Sequence, residues 1–321
     1  MIRFTFLSVY LTGCLVAQTS FSGLNTWTDG QTVGLAGGGY LFSTQNEFRN
    51  PAMLPESGRY LKINLVRYPA DINAHSIITN GNKNDHRFGL KLSRINYGLF
   101  KGRDIDNHIT EDYSAGDIHL QAVYAKPLNS NRFVIGVSGG LFMSQIEKVK
   151  ANIFTFSPGV IFYSRLGEIG LSLQNYGFVF DSYTDTEDKI PSFIVTSFAR
   201  KVTNLPLVLE VDYSYFMVRS SSTFTFSGLL NFKNGFIMKG GFSTKKADQI
   251  TDVSFIKNLF ADMGIGISYE FEDILFAIDT YTYGPGGFVI AVGITVLYLS
   301  LIHISEPTRP RLISYAVFCL K

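Results

Sequence analysis

The sequence predicts an all-β fold: a transmembrane antiparallel β-barrel of about 14 strands, with a plug-like or hatch-like segment ahead of it. Three observations predict it. The chain is 46% hydrophobic and only 17% charged, with 30 Gly, 28 Phe and 17 Tyr against a single Trp. That balance suits short strands and turns better than helices. From about Tyr60 onward, apolar and small or polar residues alternate with a period of two, which puts them on opposite faces of a strand. Tight turns also alternate with longer polar loops, the asymmetry of outer-membrane barrels.

Residues 1–17 read as a secretory signal peptide. Arg3 is the positive flank, an apolar core follows, and Ala17 offers a small residue for cleavage. Such a core is too short to span a bilayer as a helix. Residues 11–14 (LTGC) also match a lipoprotein cleavage box, so Cys14 competes with Ala17 as the processing point. With cleavage after Ala17 the one other cysteine is Cys319, and the exported body has neither a disulfide framework nor thiol chemistry.

Residues 18–58 lack strand periodicity and read as a segment tucked into or under the barrel. Gly37, Gly38 and Gly39 permit close backbone approach or positive φ. Pro51 biases Asn50 toward an extended conformation.

The barrel occupies 59–298. The strands are expected at 60–68, 71–79, 87–96, 115–126, 132–145, 153–165, 168–178, 192–202, 206–217, 222–233, 235–244, 261–272, 273–283 and 287–298. Many run for about ten residues, the length of a tilted membrane-crossing strand. The clearest are LVLEVDYSY at 207–215 and MGIGISYEF at 263–271. Tight turns fall at 129–131, 166–168, 204–206, 234–235 and 272–273, and Asn234-Gly235 is a strong two-residue hairpin signal. Longer loops are expected at 97–114, 146–152, 179–191, 218–221 and 245–260. Two connections break the pattern: 69–70 is short on the outer side, and 80–86 is long on the inner side. In lipid every backbone polar group must be paired, and a closed barrel achieves this. The competing fold is a soluble sandwich, which alternates similarly but faces its apolar rows toward each other.

Residues 299–321 fit nothing upstream. Back-translated, 299–309 and 313–320 resemble the two ends of a sequencing-library adapter, with 310–312 where a barcode would lie. The expectation is a non-native tail, to be set aside with other foreign segments. Its removal matters physically: the apolar run 288–302 tempts a transmembrane-helix assignment, but cut at Tyr298 it has strand length. Whole, the chain has 28 Lys+Arg against 26 Asp+Glu. Without Arg3, Arg309, Arg311, Lys321 and Glu306 it is close to neutral, with no basic footprint for nucleic acid.

The run Gly37-Gly38-Gly39, a spacer, and then Asn50-Pro51-Ala52-Met53-Leu54 leading into the first strand resembles the PorV/PorQ family. These are outer-membrane barrels of the type IX secretion system, related in architecture to FadL fatty-acid transporters. Residues 94–101 (RINYGLFK) and 113–117 (YSAGD) look more like the PorQ branch. The resemblance covers about 33–298. It implies a fourteen-strand barrel in the bacterial outer membrane, aiding export or surface attachment of secreted proteins, with secretion-system components and cargo as partners. Gly37, Gly38, Gly39, Asn50, Pro51 and Ala52 are the binding residues it singles out. The alternative is a FadL-like transporter for a hydrophobic small molecule, which needs an apolar pocket or a gap in the wall.

No enzyme is expected. Residues 136–140 (GVSGG) match a nucleophile-elbow pattern, but that chemistry needs a strand-to-helix turn, and an alternating strand continues here. The acids of 104–112 suggest calcium. However, the EF-hand pattern requires an oxygen ligand where His108 stands and a glycine where Ile109 stands. His75, His86, His108 and His119 lack metal-ligand spacing. Neither metal nor cofactor is expected. Glu210 and Asp212, with Lys62, Lys91 and Glu270, fall on the polar strand faces and are expected to line the lumen, because a charge facing lipid is costly.

Overall fold

The structure, a computed structural model, describes residues 21–42, 47–56, 58–104, 106–128, 132–184, 188–249 and 260–298. The signal peptide expected over 1–17 and the tail over 299–321 lie outside the described residues.

Fifteen antiparallel strands form one sheet. They are β1 (Arg59–Arg67), β2 (Asn73–Lys83), β3 (His86–Phe100), β4 (Tyr113–Pro127), β5 (Phe133–Ile146), β6 (Val149–Tyr163), β7 (Glu168–Gln174), β8 (Tyr176–Asp181), β9 (Phe193–Lys201), β10 (Leu207–Phe216), β11 (Ser221–Asn231), β12 (Phe236–Ser243), β13 (Met263–Phe271), β14 (Ile274–Thr282) and β15 (Phe288–Tyr298). Neighbours in sequence pair in space except around β8, β1 pairs with β15, and the β5–β6 ladder closes the strand order. The sheet is therefore closed. Since β7 and β8 lie end to end along β6, the wall has fourteen positions.

Register shows why alternation dictates a barrel. One row of cross-strand partners runs Ile63, Ile77, Leu92, Leu120, Leu141 and Phe154 from β1 to β6. The first five are 45–49% exposed, which makes an outward apolar belt. One residue back along β1, the row is Lys62, Ile78, Lys91, Gln121, Gly140 and Thr155, and Lys62, Ile78, Lys91 and Thr155 are all buried. Aliphatic side chains face out and polar ones face in, the reverse of a soluble sandwich.

Expected and observed strands agree closely, with three differences. The 80–86 loop is a two-residue turn at Asn84-Asp85, with Asn84 at φ 54°. The 146–152 loop shrinks to Glu147-Lys148, because β5 and β6 continue pairing to Ile146 and Val149. The third difference is a break within the strand expected at 168–178. On β6 two residues separate the partners of Ser172 and Tyr176, whereas three separate them on the β7–β8 side. The extra residue is a bulge at Asn175, whose φ is 54°. Pro158 stands opposite and has no N–H to donate, so the ladder cannot run through there.

Candidate functional site

The described part of 21–58 packs against the inward faces of strands from all round the wall. A short helix α1 (Gly30–Gly34) starts at Asp29, whose Oδ1 accepts from the Gln31 amide at 2.8 Å. Asp29 Oδ2 ion-pairs with Lys62 Nζ on β1 and accepts from Asn64 Nδ2 at 3.2 Å. On the other side, Gly30 and Gly34 lie against Asp279 of β14, and a Cβ on either glycine would meet that carboxylate. Asp279 Oδ1 sits 3.0 Å from Lys239 Nζ, an ion pair whose two side chains are fully buried.

The glycine run follows α1. Gly37 and Gly39 adopt φ of 85° and 88°, a conformation that other residues resist. Gly38 is held between Ser227 and Asp212, with no room for a Cβ. The chain is then fastened to β10: the Gly39 amide donates to Asp212 Oδ2 at 3.3 Å, and the Leu41 amide donates to Glu210 Oε1 at 3.0 Å. Ser197 donates to Asp212 Oδ1 at 2.5 Å. Glu210 and Asp212 do face inward, 1% and 0% exposed, but they grip backbone rather than line an open channel. Glu270 shares their parity on β13, yet it stands at the strand's end and is exposed.

Arg49 folds back on the same loop. Its Nη1 donates to Gly37 O at 2.5 Å and to Gly38 O at 2.9 Å. Glu47 joins Thr32 Oγ1 at 2.7 Å to Lys91 Nζ of β3 at 2.8 Å. Asn50 then caps a single 3-10 turn, Pro51–Met53, by accepting from the Ala52 amide at 3.1 Å, with Pro51 in the first position where a missing N–H costs nothing. This turn lies on Gly136 of β5 and Gly159 of β6, and a Cβ there would strike the Pro51 and Ala52 backbone or the Asn50 side chain. Gly38, Gly39, Asn50, Pro51 and Ala52 thus lie against the barrel wall or its charged groups, whereas Gly37 packs on Trp27 within the segment itself.

Two spaces remain. A polar cavity of about 140 Å³ lies beside this segment and includes Glu47, Arg49, Lys91, His119, Gln121 and Gln174 in its lining. A larger one, about 490 Å³, opens at the long-loop end among Phe21, Ile72, Tyr97, Phe100, Tyr113 and Tyr183, with Asp117 and Ser144 at its polar side. Phe21 stacks on Tyr183 at 5.5 Å. Tyr183 donates to Ser144 Oγ, and Ser144 donates to Asp117. Burial raises the Tyr183 phenol above its usual range, and the Ser144 contact only partly offsets this, so Tyr183 is a neutral donor at ordinary pH.

Beside that pocket the wall changes. Beyond Asn175 the side-chain parity of the wall switches. Tyr176, Phe178 and Phe180 point outward at 54–59% exposure, while Val179 turns in against Phe21 and Phe142. Among the described residues β8 pairs with β6 alone, because β9 starts at Phe193 beside Gln174. Asn175 is itself held from three sides: its amide donates to Ser157 Oγ at 3.0 Å, its Nδ2 to Asn25 Oδ1 at 3.0 Å, and its carbonyl accepts from Ser192 Oγ at 2.7 Å.

The remaining motifs are occupied locally. Ser138 lies mid-strand in β5 and is buried, with no helix after it. His119 pairs with Thr155 Oγ1 at 3.2 Å rather than with Ser138. Asp104 Oδ1 accepts from the amides of Asp106 and His108 at 3.0 and 2.8 Å, closing its own loop.

Sequence reasoning missed Asp29, Lys239 and Asp279, as well as the bulge. The signal was available: Lys239 and Asp279 are charges at inward positions of otherwise uncharged strands, and Pro158 interrupts a strand pattern.

A closed wall, an apolar outer belt and a charged, filled interior define an outer-membrane β-barrel protein, and the bacterial outer membrane is its location. Among solved structures, the chain is similar to the P. putida toluene transporter TodX, at 10% identity and a TM-score of 0.52, covering 78% of this chain and 93% of that one. It is also similar to a Pseudomonas aeruginosa FadL homologue, at 12% identity and a TM-score of 0.50, covering 84% of this chain and 98% of that one. The architecture is thus that of FadL-like barrels. No protein-family model and no curated protein matches the sequence.

Proposed function

We propose that this barrel passes hydrophobic small molecules across the outer membrane, with residues 18–58 as a plug that closes the axial route. The observation that carries this reading is the break at Asn175, where among the described residues β8 has a ladder on one side only, next to an aromatic pocket at the outer end. A polar lumen offers an apolar solute no continuous path, whereas a wet pocket with aromatic walls beside an interrupted wall offers a landing place and a way to lipid. Likeness to a toluene transporter and to a FadL homologue supports the same class of solute. The test is flux of a monoaromatic hydrocarbon into proteoliposomes. Flux should exceed that of protein-free vesicles and fall severalfold in Tyr183→Asp. Equal flux with and without protein removes the reading.

A second reading, a type IX secretion accessory barrel, rests on the resemblance around Gly37, Gly38, Gly39, Asn50, Pro51 and Ala52. All but Gly37 pack against the wall rather than forming a plain turn. Its partners are secretion-system components and exported cargo. Purification from native outer membrane tests it: recovery of such proteins supports it, and recovery of none removes it.

A further inference from the structure

The outer face of the barrel is not uniform at its long-loop rim. On β1 to β6 the row just above the apolar belt runs Leu65, His75, Arg94, Ile118, Met143 and Asn152. The next row out ends in Asn96, Gly116, Gln145 and Lys150. Between these rows lies a groove of about 470 Å³, lined by Arg94 and Asn96 on one bank and by Gln145, Lys150 and Asn152 on the other. Gly116 leaves the floor between them without a side chain.

The charges in it are available. Arg67, further along the rim, is paired to Asp71 at 2.9 Å. Arg94 and Lys150 form no ion pair among the described residues. The acids nearby are Asp117 in the groove's lining, which is buried on the inner side and accepts from Ser144 Oγ and from Tyr97 at 2.6 Å, Asp181, which accepts from Asn152 Nδ2 at 2.7 Å, and Glu147 in the β5–β6 turn. A cation at the midplane of the bilayer is strongly unfavourable, but at the interface the cost nearly vanishes, and an anionic headgroup there makes it favourable. Strands lie about 4.8 Å apart and the two residues sit one row apart, so Arg94 on β3 and Lys150 on β6 stand roughly 16 Å apart at the backbone. That separation suits a broad headgroup rather than a point ion, and a guanidinium binds phosphate through two parallel N–H bonds.

We infer that this groove binds the phosphorylated headgroup of an outer-leaflet lipid, with Arg94 and Lys150 as its two cationic contacts and Gly116 as the floor that admits it. The occupant follows from position and charge together: positive side chains directly above an apolar belt, at the end that carries the long loops, face the headgroup layer of the outer leaflet. The inference does not depend on what the barrel transports.

The test is native mass spectrometry of the full-length barrel in zwitterionic detergent with phosphorylated lipid A added as the probe. The wild-type protein should retain one lipid, and Arg94→Gln/Lys150→Gln should lower its retention at least tenfold. Folding of each variant is checked by heat-modifiable electrophoretic mobility. The single variants Arg94→Gln and Lys150→Gln, each expected to lose severalfold, carry the test if the double variant fails to fold. Lys126→Glu, at the opposite rim of β4, should leave retention unchanged. Undiminished binding in the folded Gln variants overturns the inference. So does an equal loss in Lys126→Glu, or complete displacement of the lipid by ten millimolar inorganic phosphate.

Discussion

Asp29 and Lys62 form an ion pair inside the barrel, with the carboxylate fully buried and the ammonium side chain 4% exposed. The same carboxylate caps α1, so one residue ties a helix start to the first strand. Removing one partner of such a pair leaves the other charged and dry, which costs about 3–5 kcal/mol. Lys62→Met should therefore loosen residues 29–42, seen as faster hydrogen exchange there with the barrel ladder still protected. Asp29→Asn/Lys62→Met should recover much of that protection, because neither charge is then stranded.

The Asn50 turn presses on bare wall at Gly136 and Gly159. Gly136→Val places atoms where the Pro51 and Ala52 backbone lies, and backbone cannot rotate aside. Overpacking of this kind costs about 1–3 kcal/mol. A cysteine at Ala52 should become labelled by a soluble maleimide far faster in Gly136→Val than in the parent, with an unchanged far-ultraviolet spectrum.

Glu210 is the acceptor for the Leu41 amide. Glu210→Ala leaves that amide unpartnered in a buried site, a penalty of about 1–3 kcal/mol. Hydrogen exchange should speed up at 39–42 and remain slow at α1, which separates this anchor from the Asp29 anchor.

Lipid-facing and lumen-facing positions differ in their tolerance of charge. Leu120, in the outward apolar row one step below the Arg94 row, should lose about 1–2 kcal/mol on substitution by Arg, between the interface and midplane costs. Ser138→Ala should leave folding and solute flux unchanged, because that hydroxyl belongs to no catalytic arrangement. Urea titration in lipid vesicles reads the first, and the flux assay reads the second.

Alternation made the barrel wall legible, since period two directly encodes which residues meet lipid, and the fourteen wall positions emerge from LVLEVDYSY-like runs alone. The filling of the lumen was legible only in part. Gly37, Gly38, Gly39 and Asn50 stand out locally, but their receptors (Asp212, Ser227, Gly136 and Gly159) lie far away in sequence, and only closure of the sheet brings them together. The pair Lys239–Asp279 was visible as misplaced charge without any indication of its purpose. The bulge at Asn175 escaped because a one-residue insertion shifts the phase of an alternating pattern without erasing it, so 168–178 still reads as one strand.

Arg59–Arg67 meets Phe288–Tyr298 along nine consecutive residue pairs, a seam between the first strand and the last. Such a hoop cannot be locked until Phe288–Tyr298 has arrived. The short helix inside rests on both sides of that seam, touching Lys62 before it and Asp279 just after it. Biogenesis therefore faces an ordering problem: the amino-terminal part must wait in place while the rest of the cylinder is laid down around it, and the last strand shuts it in.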